Sequence, residues 1–182
     1  MKVLAFAASN SRSSINKRLV THAAEVFAQE IDTTAETEVI DLNDYELPIY
    51  SEDREADGGV PELAKALYAK LGEADAILIS YAEHNGNYSA VWKNTFDWMS
   101  RIDQKVFQDK PMVIMATSPG QGGGGRVLKI AEDSIGVFGA KVKGSVSVAT
   151  FGDNFDLERG RLTHGESSAA LKAALTDLHT AL

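Results

Sequence analysis

At 182 residues, 44% hydrophobic and 24% charged, the chain is sized and composed for a single globular domain over residues 1–182, with a substantial core. A formal net charge of −8 argues against general binding to nucleic acid or an anionic membrane, both of which need a basic face. No apolar run is long enough to span a bilayer and no signal-peptide pattern is present. Zero cysteines exclude disulfides, thiolate nucleophiles and thiolate-held iron–sulfur clusters, and these features together fit the cytoplasm.

In chain order, Val3–Ala8 reads as a buried strand, followed by a helix with Ile15, Leu19, Ala23 and Val26 on one face. Glu38–Leu42 reads as a second strand. The polar stretch Asn43–Gly59, with Pro48 and Gly58-Gly59, is expected to be a long loop. Pro61-Glu62 opens a helix whose apolar face is Val60, Leu63, Leu67 and Leu71. Ala76–Ser80 is nearly unbroken in hydrophobicity, as a parallel strand covered on both faces should be. The loop Tyr81–Tyr88 then leads into a helix carrying Val91, Trp92, Thr95, Phe96 and Met99. Met112–Ala116 is a fourth strand, Ser118–Gly125 a glycine-dense turn, and Val127, Leu128, Ala131 and Ile135 mark the next helix. Val142–Ala149 alternates as a fifth strand, Phe151–Thr163 is expected to be a loop, and Ser167–Leu182 closes the chain as an amphipathic helix. Five strands alternating with five helices predict an α/β fold, a parallel sheet wound on both faces. In such folds ligands gather beyond the carboxyl ends of the strands, near the point where strand order reverses.

The stretch Ser9–Arg18 is unusual. Helices favour acids in their first turn, yet no acid occurs here before Glu25, while Arg12, Lys17 and Arg18 crowd the start. A solvated surface turn would tolerate this. A phosphate held by free helix-start amides, hydroxyls and nearby cations would exploit it. The helices after strands two and five instead open with Glu62 and Glu166, whereas the one after strand four opens with Arg126. Five of the fifteen glycines lie between Ser118 and Gly125, which suits either an idle flexible loop or close backbone approach to a flat ligand. The loop Glu83-His84-Asn85-Gly86-Asn87-Tyr88 mixes amide donors with an aromatic, though Asn and Gly are common turn residues.

Rival phosphate-binding patterns do not fit. The loop after strand one lacks the Gly-x-Gly-x-x-Gly of dinucleotide-binding domains, and no Gly-x-x-x-x-Gly-Lys-Ser/Thr occurs. Asp41 reads as a loop or capping residue. The acids of a response-regulator receiver are missing from Ala7-Ala8-Ser9. The four histidines are scattered, so no metal site is expected: His22 falls on a helix face, and His164 and His179 lie near the polar tail.

Together the three loops resemble the NADPH-dependent FMN reductase family, which includes flavodoxin-like quinone, azo and chromate reductases. That family carries Ser-x-Arg-x-x-Ser-x-Asn after strand one. Here Ser9, Ser14 and Asn16 match, Ser11 stands at the arginine position, and Arg12 beside it either takes that role or points to solvent. The family's Pro-Glu-Tyr-Asn loop with Leu-Lys-Asn and Asp-Trp is similar to Ala82-Glu83-His84-Asn85, Trp92-Lys93-Asn94 and Asp97-Trp98. Its Ser-Pro-Gly…Gly-Gly turn is similar to Ser118-Pro119-Gly120 and Gly122-Gly123. His84 in place of tyrosine changes an aromatic wall. Ser89, where proline is frequent, is expected to loosen the loop.

The resemblance implies a flavodoxin-like three-layer fold with a five-stranded parallel sheet in the order 2-1-3-4-5. It implies FMN, with its phosphate on Ser9, Ser11, Arg12, Ser14, Ile15 and Asn16. The isoalloxazine would be lined by Ala82 through Asn87, Gly86 included, and by Ser118, Pro119, Gly120, Gly122 and Gly123. NAD(P)H would give hydride to flavin N5, and a small-molecule acceptor such as a quinone, azo compound or free flavin would then take the electrons. No side chain need act as a catalytic acid, base or nucleophile, and Glu83 and His84 serve either at the active site or as loop scaffolding. Trp92, Phe96, Trp98 and Met99 either pack the core or support a homodimer, or dimer of dimers, whose partner helps cover the flavin. The alternatives are a flavodoxin-type electron carrier without a nicotinamide site, and a degenerate fold that binds no flavin.

Overall fold

The computed structural model describes all of residues 1–182. A five-stranded parallel sheet, ordered β2-β1-β3-β6-β7, forms its centre. In chain order the elements begin with β1 (Lys2–Ala8), α1 (Ile15–Val26, extended by a π turn Phe27–Ile31), β2 (Glu36–Ile40), a 3₁₀ turn (Leu42–Tyr45), α2 (Glu52–Gly58) and α3 (Glu62–Glu73). Then come β3 (Ala76–Tyr81), β4 (Glu83–His84), β5 (Asn87–Tyr88), α4 (Ala90–Ser100), β6 (Pro111–Thr117) and α5 (Gly125–Ser134, continued by a 3₁₀ turn Ile135–Phe138). The chain ends with β7 (Lys141–Val148), α6 (Phe151–Asn154), β8 (Phe155–Asp156), β9 (Arg161–Leu162) and α7 (Gly165–Thr180). With β4–β5 and β8–β9 set aside as two small hairpins, the sheet is the 2-1-3-4-5 order of the flavodoxin-like fold.

The period-2 alternation of the strands explains the three layers. Along β1, Leu4, Phe6 and Ala8 face one core with α3, α4 and α5, while Val3, Ala5 and Ala7 face the other with α1 and α7. The central strands are apolar throughout because both faces are covered: all six residues of β3 are buried.

Several sequence expectations need correction. The second strand ends at Ile40, not Leu42, because the Asp41 carboxylate accepts from the Asn43 amide and turns the chain into the 3₁₀ turn. The stretch expected as one long loop, Asn43–Gly59, contains part of that turn and all of α2. Ser51 caps α2 through the Arg54 amide, Glu52, Asp53 and Glu55 suit its dipole, and Gly59, at φ +69°, ends it. Phe151–Thr163 likewise contains α6 and the β8–β9 hairpin, whose turn is held by Asp156 accepting from the Glu158 and Arg159 amides. Trp92, Trp98 and Met99 are buried within this one chain, Trp98 donating its indole N–H to the Pro48 carbonyl at 2.7 Å. Core packing therefore accounts for three of the four large residues of α4, and only Phe96 remains partly exposed.

Candidate functional site

The loops after β1, β3 and β6 meet at the carboxyl edge of the sheet. In the first, Ser9 is buried and its hydroxyl accepts from the Ser11 amide at 3.2 Å. Buried Ser14 caps α1, accepting from the Lys17 amide at 3.1 Å. Ser11, Arg12 and Ser13 are exposed. The amides of Asn10, Arg12, Ser13, Ile15 and Asn16 donate to no protein acceptor, leaving a cluster of free N–H groups around the helix start. Such a cluster, at the positive end of a helix dipole, fits a phosphate.

The cations divide unequally. Lys17 is paired with Asp41, so its charge is already engaged. Burial alone would raise the Asp41 carboxyl, but the Lys17 ammonium and the Asn43 donors outweigh it and hold the group below its ordinary range. Arg12 remains without an ion pair beside the free amides.

The Asn16 side chain does not face a ligand. It is buried, its Oδ1 accepting from the Ser80 hydroxyl at 2.8 Å and the Thr117 amide at 3.0 Å, while its Nδ2 donates to the Thr117 carbonyl at 3.2 Å. Asn16 thus latches the first loop to the ends of β3 and β6, and what it offers a phosphate is its backbone N–H. Sequence reading missed Ser80 and Thr117; the signal was a lone hydroxyl in an otherwise apolar strand and another at the end of its neighbour.

In the second loop, Ala82 is buried and Glu83–Tyr88 folds into the β4–β5 hairpin. Asn85 (φ +54°) and Gly86 (φ +75°) occupy its two-residue turn, the left-handed pair that a type I′ hairpin demands. His84 and Asn87 are exposed, the Asn87 side chain accepting from the Tyr88 amide. Glu83 turns inward: its Oε2 accepts from the amides of Arg126 and Val127 at the start of α5. The carboxylate therefore acts as a cap donated by another loop, favouring its scaffolding role. Ser89 does not loosen this loop. Its buried hydroxyl donates to the Ala8 carbonyl at 2.7 Å and accepts from the Trp92 amide, tying the hairpin to the end of β1 and capping α4.

The glycine turn splits in two. A Cβ on Gly123 (φ +57°) would lie 2.4 Å from Ser147 Oγ, and one on Gly124 (φ +74°) 2.8 Å from Ala116 Cβ, so the protein's own packing requires both glycines. Gly120 and Gly122 have nothing within 4 Å of such a Cβ and face open space. Ser118 and Pro119 lead into this open part. Behind it, the amides of Thr150 and Phe151 donate to the carbonyls of Gly120 and Ser118, so the segment after β7 braces the turn.

Comparison with known proteins identifies the family and the fold. Residues 1–153 match the family model for NADPH-dependent FMN reductase. The chain is 33% identical over 162 residues to an uncharacterized protein of Mycoplasma pneumoniae, covering 86% of this chain and 92% of that protein. It is also 33% identical over 138 residues to an NADPH:quinone oxidoreductase of Arabidopsis thaliana, covering 76% and 67% of the two chains. In fold it resembles the flavoenzyme NAD(P)H:(acceptor) oxidoreductase of Paracoccus denitrificans, with a TM-score of 0.74 at 23% identity over 98% and 97% of the two chains.

Proposed function

The chain belongs to the NADPH-dependent FMN reductase family and is an oxidoreductase using FMN and NAD(P)H; from this premise we propose which residues hold the flavin and what receives its electrons. The carrying observation is the cluster of five free amides between Asn10 and Asn16. With Ser9, Ser11, Ser14 and Arg12 nearby, they supply the short, charge-assisted bonds a phosphate needs. Ala82–Asn87 and Ser118–Gly123 line the ring, Gly120 and Gly122 giving close approach and Gly123 shaping the turn from behind.

Bound FMN supplies the ability to take a hydride from the nicotinamide and pass the electrons on. The chain's own part is to anchor the phosphate, fix the loops and point backbone N–H groups of the glycine turn toward the amide edge of the ring, where negative charge grows. Rigidity comes from the Asn16 latch, the Glu83 cap and the Ser89 tie. The acceptor is a quinone or an azo compound, a reading supported by the similarity to quinone oxidoreductases.

The chain works as one domain in the cytoplasm, and as a homodimer. A groove of about 340 Å³ between α4 and α5, with Tyr88, Phe96, Ile130 and Phe138 in its walls, supports the last point as an apolar surface for a second copy. Sedimentation of the purified protein tests it: a monomer at micromolar concentration would refute the dimer.

Anaerobic titration of FMN-loaded protein with NADPH is the test of function. The expected result is full bleaching of the visible flavin band and its return on adding a quinone. A flavin that stays oxidised would instead mark a flavodoxin-type carrier.

A further inference from the structure

Thr150 is the one β-branched residue of the chain with a positive φ, +42°, and it stands where β7 gives way to α6. Asparagine and aspartate tolerate this left-handed region, whereas a β-branched side chain is strained there. The strain is held by Asn154. Its Nδ2 donates to the Ala149 carbonyl at 2.8 Å and to Thr150 Oγ1 at 2.9 Å, and its own carbonyl accepts from the Thr163 amide at 2.9 Å. The Ala149 carbonyl and the Thr150 N–H belong to one peptide, so Asn154 orients that N–H from behind.

The outcome is a pair of donors aimed at the glycine turn. The Thr150 N–H reaches the Gly120 carbonyl at 2.9 Å, and the Phe151 N–H reaches the Ser118 carbonyl at 3.0 Å. The Gly120 carbonyl also accepts from the Gly123 amide at 3.3 Å and the Ser118 hydroxyl at 3.2 Å. The C=O and N–H of a trans peptide point opposite ways, and the chain has no cis bond. The Gln121 N–H, the other half of the same peptide, therefore points away from α6. It donates to no protein acceptor and lies between exposed Gly120 and Gly122. Gly120 has no side chain to resist rotation of this peptide, so its orientation depends on the donors that grip the carbonyl.

We infer that Asn154 is a positioning residue for the redox reaction: through Thr150 it fixes the Gly120–Gln121 peptide with its N–H toward the flavin, and so sets the flavin's reduction potential. The inference rests on the flavin reading proposed above. Hydride transfer leaves NAD(P)⁺ and adds one proton and one electron pair to the ring, whose amide edge then carries a negative charge. An N–H fixed in place before that charge arrives stabilises the reduced ring more than the oxidised one. A peptide free to rotate loses this preference.

The test is the midpoint potential of FMN-loaded protein, equilibrated anaerobically against a reference dye, for the parent chain, Asn154→Ala, Thr150→Gly and the double variant. Asn154→Ala should lower the preference for reduced over oxidised FMN about tenfold, a fall of about 30 mV. Its Kd for oxidised FMN should change by less than about threefold, because the loop after β1 is untouched. Glycine adopts the left-handed region without strain, so Thr150→Gly should stay within about twofold of the parent. The same change should bring Asn154→Ala back to within about threefold. If Asn154→Ala does not fold, Asn154→Leu, of similar bulk and without the donor, should show the same fall. A purely structural Asn154 would lower the melting temperature and leave the potential unchanged. That result, or a double variant with the full fall, overturns the inference and leaves the functional reading intact. A parent chain that binds no FMN overturns the flavin reading and, with it, the inference.

Discussion

The Glu83 carboxylate accepts from the Arg126 amide at 3.0 Å, joining the loop after β3 to the helix that follows the glycine turn. The Val127 amide donates to the same Oε2 at 3.1 Å, so one carboxylate oxygen accepts two helix-start N–H groups. Hydrogen bonds to a charged group contribute about 1.5–3 kcal/mol. Glu83→Ala should lower stability by about 2 kcal/mol and, on the proposed flavin site, weaken FMN binding, because the loops after β3 and β6 lose their common brace. Glu83→Gln should cost less, since an amide oxygen still accepts while the charge on the helix dipole is lost. Urea denaturation alongside FMN titration measures both effects; equal behaviour of the two variants would show that the charge is immaterial.

The Asn16 latch makes a different prediction. Asn16→Ala strands the Ser80 hydroxyl and the Thr117 N–H, both buried. An unsatisfied buried group costs about 1–3 kcal/mol, so a loss of about 3 kcal/mol is expected. FMN should bind more weakly because the loop shifts, although the Asn16 backbone amide remains. In the flavin-free protein Ser14→Ala loses a helix cap and should cost about 1 kcal/mol of stability. The denaturation midpoints of the two variants, measured side by side, should differ in that order.

Tyr81 offers the opposite case. Its hydroxyl is fully buried at the end of β3 with no hydrogen-bond partner, and burial pushes its ionisation well above the usual phenol range. Tyr81→Phe removes an unpaired polar atom and keeps the ring against Tyr88 and Trp92. Stability should rise by about 1 kcal/mol. A fall on thermal melting would mean that the hydroxyl has a partner when the protein is in solution.

Two substitutions divide the glycine turn. Gly124→Ala places a methyl 2.8 Å from Ala116 Cβ at φ +74° and should destabilise by about 2–3 kcal/mol, from strain and overpacking. Gly122→Ala meets nothing within 4 Å and should leave the melting temperature nearly unchanged while weakening FMN binding. If Gly122→Ala leaves the flavin dissociation constant alone, the open part of the turn does not approach the ring.

Acid should loosen the first loop. The folded Asp41 carboxyl lies below its ordinary value, since Lys17 and the Asn43 donors outweigh its burial. A depressed carboxyl contributes stability that is present above the unfolded value of about 4 and is lost as pH falls through the folded value. Asp41→Asn should therefore flatten the acid limb of stability against pH. A parent and variant with parallel acid limbs would rule out a measurable contribution from this pair.

The sequence by itself determined the alternation of five strands and five principal helices, the apolar central strands, and the three unusual loops that follow β1, β3 and β6. Those features are written in local patterns: period 2 along a strand, three- and four-residue spacing along a helix, and a helix start crowded with hydroxyls and cations. The tertiary structure decided what the polar residues do. Asn16 and Thr117 are 101 residues apart, and no local period could assign the Asn16 side chain to a latch instead of a ligand. Glu83 and Arg126 lie 43 residues apart, and the second loop becomes a capping device only once β3 and β6 are neighbours. The same holds for the glycines. All five look alike in sequence, yet β6 and β7 press on Gly124 and Gly123 while Gly120 and Gly122 face open space. Hydrophobic periodicity survives any packing that buries the right face, whereas the use of a buried hydrogen-bonding group depends on which strand ends the topology sets beside it.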